Sequence, residues 1–344
     1  MAKELDEKVK TALALSVAGL GLMTAAGNIA FDYVINRNPK YLFGPLKKLN
    51  ESVTVGEFLR MDLSEETIDW AEKTTITQRQ THAYDGISLN AYCFEQPKPT
   101  KRWLIAVHGY GQSASSMFPF AKPFYEAGFN VLLPECRGCG RSGGNYFGLG
   151  WVDRLDIIKW SRLISADEPK AEIVLFGLST GADAVLMASG EDNLPANVRC
   201  IISDSPYSRL TDASNCLLRK RNLPAGLMTF STSLVTYLRA GYSFADASAV
   251  SQVAKSHTPT LFIHGGNDEL FPVEMTYELY EAANCSKEIM IIPEASHGYA
   301  IYVDYDQYWN RIINFTEKYL TPKNNDVSKV SKLKNQVRRA VGRQ

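Results

Sequence analysis

Gly177-Leu178-Ser179-Thr180-Gly181 sets a serine between two glycines, each two positions away. The run directly follows Ile173-Val174-Leu175-Phe176, which suits a buried strand, and leads into helix-forming residues from Ala182. Strand, sharp turn and helix in that order present the serine hydroxyl on a strained backbone, and the glycines leave room where side chains would collide. A serine hydroxyl becomes a nucleophile only when an imidazole takes its proton and a carboxylate orients that imidazole. Where this turn occurs, the three follow the chain order Ser, acid, His. Of five histidines, His82 and His108 precede Ser179, and His257 and His264 precede the best acid. His297 remains, in Glu294-Ala295-Ser296-His297-Gly298, just past the apolar run Ile289-Met290-Ile291-Ile292. The best acid is Asp268, in His264-Gly265-Gly266-Asn267-Asp268-Glu269, shortly after Leu261-Phe262-Ile263. Asp204 is its main competitor and Glu269 a weaker one.

Attack on a carbonyl builds negative charge on oxygen, which needs donors already in place. Backbone N–H groups serve beside such a turn: that of Thr180, after the nucleophile, and one from the loop His108-Gly109-Tyr110-Gly111-Gln112-Ser113, with Tyr110 the expected donor. This Gly-rich loop has neither GxGxxG nor GxxxxGK[ST], so it does not read as a phosphate cradle. Cys136 and Cys139 have CxxC spacing, but no second pair or CxxH follows, which argues against zinc. The six cysteines read as reduced or structurally incidental in a chain too large to need staples.

The residues singled out above must be positioned by a common frame. Short continuous apolar runs at Trp103 to Val107, Asn130 to Leu133, Glu172 to Phe176, Cys200 to Ser203, Thr260 to Ile263 and Glu288 to Ile292 read as strands buried on both faces. Helix-compatible stretches separate most of them, at Met117 to Ala127, Val152 to Ser165, Ala182 to Ser189 and Val273 to Ala283. Thr75 to Ala83 and Ile87 to Phe94, joined through Asp85-Gly86, read as a hairpin. Alternation over this length predicts a doubly wound sheet, in which reactive groups gather at the carboxyl ends of the strands. Each candidate residue sits just after a predicted strand. Between Tyr207 and Val253 the alternation lapses into helical sequence rich in leucine, expected to form a lid over the sheet end or helices on its flank. Ser64-Glu65-Glu66-Thr67 marks a helix start leading into Ile68 and Trp70.

The 344 residues carry 37 Lys+Arg against 37 Asp+Glu, a balance that argues against a polyanionic partner, and no nucleic acid is expected. Thr11 to Phe31 is uncharged and about long enough to span a bilayer, with Lys3, Lys8 and Lys10 before it and Arg37 and Lys40 after. It is expected to be an uncleaved membrane anchor; a buried or amphipathic helix and a signal peptide are the alternatives. From Pro322 to Gln344, seven Lys and Arg stand against Asp326 alone, with valines and Leu333 at helical spacing, so the tail reads as a basic amphipathic helix or a solvated extension.

The motifs HGYGQS, ECRGCGRSGG, GLSTG, DSPYS, HGGNDELFP and EASHG together resemble the α/β-hydrolase superfamily over Thr74 to Leu320. In detail the chain is similar to membrane-anchored α/β-hydrolases of Gram-positive bacteria, of serine aminopeptidase and cinnamoyl-esterase type. The resemblance implies an α/β fold: a doubly wound, mostly parallel eight-stranded sheet with a helical lid insert and an N-terminal helical extension. It implies Ser179, Asp268 and His297 as triad, Tyr110 and Thr180 as oxyanion donors, and no cofactor or metal. Glu135 and Cys139 depart from the usual D-x-R-G-x-G-x-S loop, where Asp and often His stand. The expected organisation is an anchor over 1–35, a helical connector over 36–73, the catalytic domain over 74–321 with its lid at 207–253, and the basic tail over 322–344. The expected activity is cleavage of a small-molecule carboxylic ester, with thioesterase, peptidase, acyltransferase or a silent binding fold as alternatives. The expected location is the cell membrane, single-pass with the catalytic domain outside, and the cytoplasm is the alternative.

Overall fold

The computed structural model describes residues 21, 23–37 and 64–322. Eight strands form one sheet: β1 Ile76–His82, β2 Ser88–Phe94, β3 Arg102–Val107, β4 Asn130–Pro134, β5 Glu172–Leu178, β6 Val198–Asp204, β7 Thr260–Gly265 and β8 Lys287–Ile292. Their spatial order is β1-β2-β4-β3-β5-β6-β7-β8. β1 and β2 form the hairpin, and β2 runs antiparallel to β4; the remaining pairs are parallel. All eight strands predicted from the sequence form, with ends shifted by one or two residues.

The apolar runs are continuous because both faces are covered. Along β3 all six residues are buried. Trp103, Ile105 and Val107 join one core with Ile173, Leu175 and Ile201, while Leu104 and Ala106 join the opposite core with Val174, Phe176 and Ile202. Helices Asp153–Asp167, Thr180–Ser189 and Glu274–Ala282 cover the first face; Phe118–Glu126 and Tyr305–Tyr319 cover the second. The sequence reading did not separate the last helix. The Asp304 side chain caps it by accepting from Gln307 N, and Tyr308, Trp309, Ile312 and Phe315 form its buried stripe. Ser64 caps Glu65–Lys73 in the same way, accepting from Thr67 N. Between β6 and β7 lie helices Leu210–Lys220, Ala225–Ala240 and Ala249–Val253, with no strand among them.

The membrane-anchor expectation for Thr11 to Phe31 is corrected by the structure. Among the described residues no helix is long and apolar enough to cross a membrane. Residues 11–20 and 22 lie outside the described residues, as do 38–63 of the connector and 323–344 of the tail. The described part, helical over 23–34, packs on protein. Phe31 and Ile35 are fully buried in the core that holds Trp103 and Val107. Asp32 pairs with Arg239 at 2.9 Å, and the same guanidinium lies 4.1 Å from the Phe31 ring centre. A Cβ on Gly27 would stand 2.5 Å from the Ser231 carbonyl oxygen. Gly27 therefore allows close contact with helix Ala225–Ala240.

Helix Thr180–Ser189 is buried along almost its whole length, including Asp183. Asp183 Oδ1 accepts from Tyr207 N at 3.0 Å, and Oδ2 has no partner. Burial pushes this carboxyl well above its ordinary range, against the smaller opposing effect of the Tyr207 N–H. The folded chain thus keeps a proton that the unfolded chain loses above about pH 4, so this group costs stability increasingly as pH rises.

Two predictions follow from this packing. Phe31→Ala lowers the stability of the purified protein by about 3 kcal/mol in denaturant unfolding; an unchanged midpoint contradicts the docked helix. Asp183→Asn raises the melting temperature at pH 8 by about 3 °C or more, and the gain shrinks toward zero near pH 4. A pH-independent difference in thermal scans contradicts the assigned cause.

Candidate active site

β5 ends at Leu178 and helix Thr180–Ser189 begins two residues later, so Ser179 makes the whole turn. Its backbone has φ 55° and ψ −125°, outside the regions open to most L-residues. Two glycines permit it: a Cβ on Gly177 would meet Gly181 O at 2.2 Å, and one on Gly181 would meet Val107 O at 2.2 Å. Ser179 N donates to Asp204 O at 2.9 Å, and Ser179 O accepts from Asp183 N at 3.1 Å.

His297 Nε2 lies 2.9 Å from Ser179 Oγ, and its Nδ1 lies 2.7 Å from Asp268 Oδ2. A carboxylate oxygen only accepts, so Nδ1 carries the proton and Nε2 accepts from the serine hydroxyl. The three side chains, 118 and 29 residues apart, form one chain of hydrogen bonds. Asp268 Oδ1 accepts from Leu270 N at 2.7 Å and Phe271 N at 2.9 Å. Burial by itself pushes the Asp268 carboxyl up, but hydrogen bonds and charge from His264 and His297 outweigh it and hold the group well below the ordinary carboxylate range.

The competing acids stand elsewhere. Asp204 accepts from Tyr308 Oη at 2.7 Å and from Ser205 Oγ at 2.9 Å. Ser205, at φ 56°, also takes Gly298 N at 3.0 Å. Asp204 and Ser205 thus tie the serine turn to the loop carrying His297. Among the described residues His297 bonds Asp268 and Ser179, and Glu269 does not bond it. The sequence reading missed this tie, although Asp204-Ser205 directly at a strand's carboxyl end was its visible signal. It also missed His264, whose Nε2 lies 3.0 Å from the Asp268 Oδ2 that His297 uses.

Tyr110 and Thr180 occupy the loop after β3 and the first residue after the nucleophile. These segments abut where Gly181 faces Val107 O and His108 O. Neither backbone N–H donates to an acceptor among the described residues. The loop is braced by Gly109 N to Gln112 Oε1 at 2.9 Å and by His108. His108 Nδ1 bonds Gly109 O at 2.8 Å while Nε2 accepts from Cys136 N at 3.1 Å, and burial lowers its pKa to about 4. This histidine is a neutral strut between two loops. The Tyr110 hydroxyl donates to Val34 O at 2.6 Å, and its ring packs edge-on against Phe147. Phe271 packs edge-on against His297 and Tyr207 against Phe271, so aromatic rings line the His297 side of the site.

The loop after β4, with Glu135 and Cys139 in unusual positions, is internally bonded. Glu135 Oε2 accepts from Arg141 N at 2.6 Å, and Arg137 grips Asp156 through Nε and Nη2. All six cysteines are free. Among the described residues no group of three or more His, Cys, Asp and Glu could hold a metal ion.

Residues 98–240 match the family described as serine aminopeptidase, S33. The Bacillus subtilis protein YqkD is 26% identical over 235 residues, covering 68% of this chain and 75% of its own. A monoglyceride lipase homolog of Monkeypox virus is 22% identical over 236 residues, covering 60% and 86%. The Pyrococcus furiosus esterase Pf2001 superposes with a TM-score of 0.60 at 21% identity, over 73% of this chain and 96% of that one. Strand order, the strained turn after β5 and this structural likeness together show that the chain has the α/β-hydrolase fold.

Proposed function

We propose that the protein is a serine hydrolase that cleaves a small-molecule carboxylic ester through an acyl-enzyme on Ser179. The observation that carries this reading is the continuous hydrogen-bonded line from Ser179 Oγ through His297 to the buried Asp268 carboxylate. His297 Nε2 takes the serine proton as Oγ attacks the carbonyl carbon, and Asp268 stabilises the imidazolium that forms. The backbone N–H groups of Tyr110 and Thr180 hold the oxyanion. The tetrahedral species then expels the alcohol, which receives the proton from His297. Water, deprotonated by the same imidazole, attacks the acyl-enzyme and returns Ser179 with release of the acid.

Support for an ester comes from the esterase name of Pf2001 and the lipase name of the viral relative. The match to the serine aminopeptidase family favours a second reading, amide cleavage by the same groups. The helical insert between β6 and β7 is read as a lid, with the helix over 23–34 as its partner. Two bonds support that placement: Tyr242 Oη donates to Phe147 O at 3.0 Å, and Tyr110 Oη to Val34 O.

The test compares p-nitrophenyl esters of graded chain length with aminoacyl p-nitroanilides. Wild type is expected to turn over the esters, and Ser179→Ala to abolish turnover. Asp268→Asn is expected to lower kcat about 10⁴-fold through the wrong imidazole tautomer, whereas Asp204→Asn leaves kcat within about tenfold because it removes no bond to His297. Turnover of anilides alone moves the peptidase reading forward. Folded wild type inert on both panels, or Asp204→Asn as damaging as Asp268→Asn, overturns the assignment.

A further inference from the structure

His264 lies in β7, four residues before Asp268, and is fully buried. Its Nε2 is 3.0 Å from Asp268 Oδ2 and 3.1 Å from Phe271 O. Both are acceptors, so Nε2 bears the proton. Its Nδ1 is 2.7 Å from the hydroxyl of Thr276, also fully buried, on helix Glu274–Ala282. With the one Nε2–H shared between Phe271 O and the acid, a neutral ring accepts the Thr276 hydroxyl proton at Nδ1. Asp268 therefore accepts two backbone N–H groups on Oδ1 and the His297 imidazole on Oδ2, and the His264 N–H, shared with Phe271 O, faces the same Oδ2 at 3.0 Å.

We propose that His264 is a positioning residue for the catalytic acid: with its tautomer set by the two acceptors at Nε2 and its ring anchored by Thr276, it shares its N–H with Asp268 Oδ2, orients the carboxylate toward His297 and shares its charge. The proposal rests on the reading of Ser179, His297 and Asp268 as the reacting set. Its physical content is twofold. The shared His264 N–H adds to three full donors in holding the carboxylate toward His297, and a second imidazole on the same oxygen withdraws charge that would otherwise all stabilise the His297 imidazolium. Loss of the His264 donor thus loosens the acid while concentrating its charge on His297. The first effect lowers kcat, and the second moves the acidic limb of the rate profile to higher pH. Asp204, at the end of β6, is the other ionisable group whose charge reaches both histidines; it is unchanged in the variants below.

The experiment measures kcat, KM and the pH profile of ester hydrolysis for the full chain and the variants His264→Leu, His264→Gln and Thr276→Val. His264→Leu is expected to lower kcat about tenfold or more with KM within about twofold, and to shift the acidic limb upward. His264→Gln, whose terminal amide can donate from the Nε2 position, is expected to restore most of kcat and the wild-type limb. Thr276→Val, which removes the anchor on Nδ1 and loosens the ring, is expected to fall between them. A folded His264→Leu with wild-type kcat and limb overturns the proposal, as does a His264→Gln variant equally slow. If His264→Leu does not fold, wild-type kcat and limb in Thr276→Val overturn it. Wild type without Ser179-dependent turnover removes the underlying reading and the proposal with it, whereas Ser179-dependent turnover unaffected by these variants removes the proposal alone.

Discussion

The backbone of Ser179, at φ 55° and ψ −125°, is the constraint around which the structure is arranged. Holding a non-glycine residue there costs on the order of 1–3 kcal/mol, and it persists only where the surroundings over-determine it. They do so from three directions. β5 delivers the chain from the sheet interior, helix Thr180–Ser189 is buried beneath β3 and β6, and the Asp204 carbonyl takes the Ser179 N–H. The missing side chains at Gly177 and Gly181 are needed because carbonyl oxygens already occupy those positions. The return for this strain is a hydroxyl aimed out of the sheet end, toward the loops after β7 and β8.

Those loops are rigid for a related reason. Asp268 is held through both carboxylate oxygens, and His297 is flanked by Gly298, whose N–H is taken by Ser205. Ser205 has a left-handed backbone of its own and sits beside the residue that accepts from Ser179 N. Ser179, Asp268 and His297 thus follow three different strands but are cross-linked near their backbones, which fixes geometry better than side-chain contact alone. The buried polar groups in this region, Asp204, Tyr308, His108 and His264, are bonded to one another or to main chain, as their removal from water requires.

The sheet was legible because burial on both faces leaves nearly unbroken apolar runs within β3, β5 and β7, and because Asp85-Gly86 punctuates the one antiparallel hairpin. Ser179 and Asp268 stood out because each follows such a run, and His297 because chain order eliminated its rivals. Asp204 and Ser205 did not, since a carboxylate at a strand end looks alike whether it serves an imidazole or a tyrosine hydroxyl. His264 was set aside by the same chain-order logic that selected His297, which sorts candidates for one role and is blind to a second. The stretch up to Phe31 misled for a different reason. Absence of charge fits lipid and a protein interior equally, and glycines and alanines that lower hydropathy are what a close helix contact needs. Nothing local to the sequence names Ser231 as the neighbour of Gly27.

The most direct measurement is intact-mass and peptide mapping of the protein after reaction with a fluorophosphonate. The account predicts one phosphonate per chain, on the peptide containing Ser179, and none in a folded His297→Ala variant. A folded wild-type chain that takes no phosphonate, or takes it on another serine, contradicts the assignment of Ser179 as an activated nucleophile.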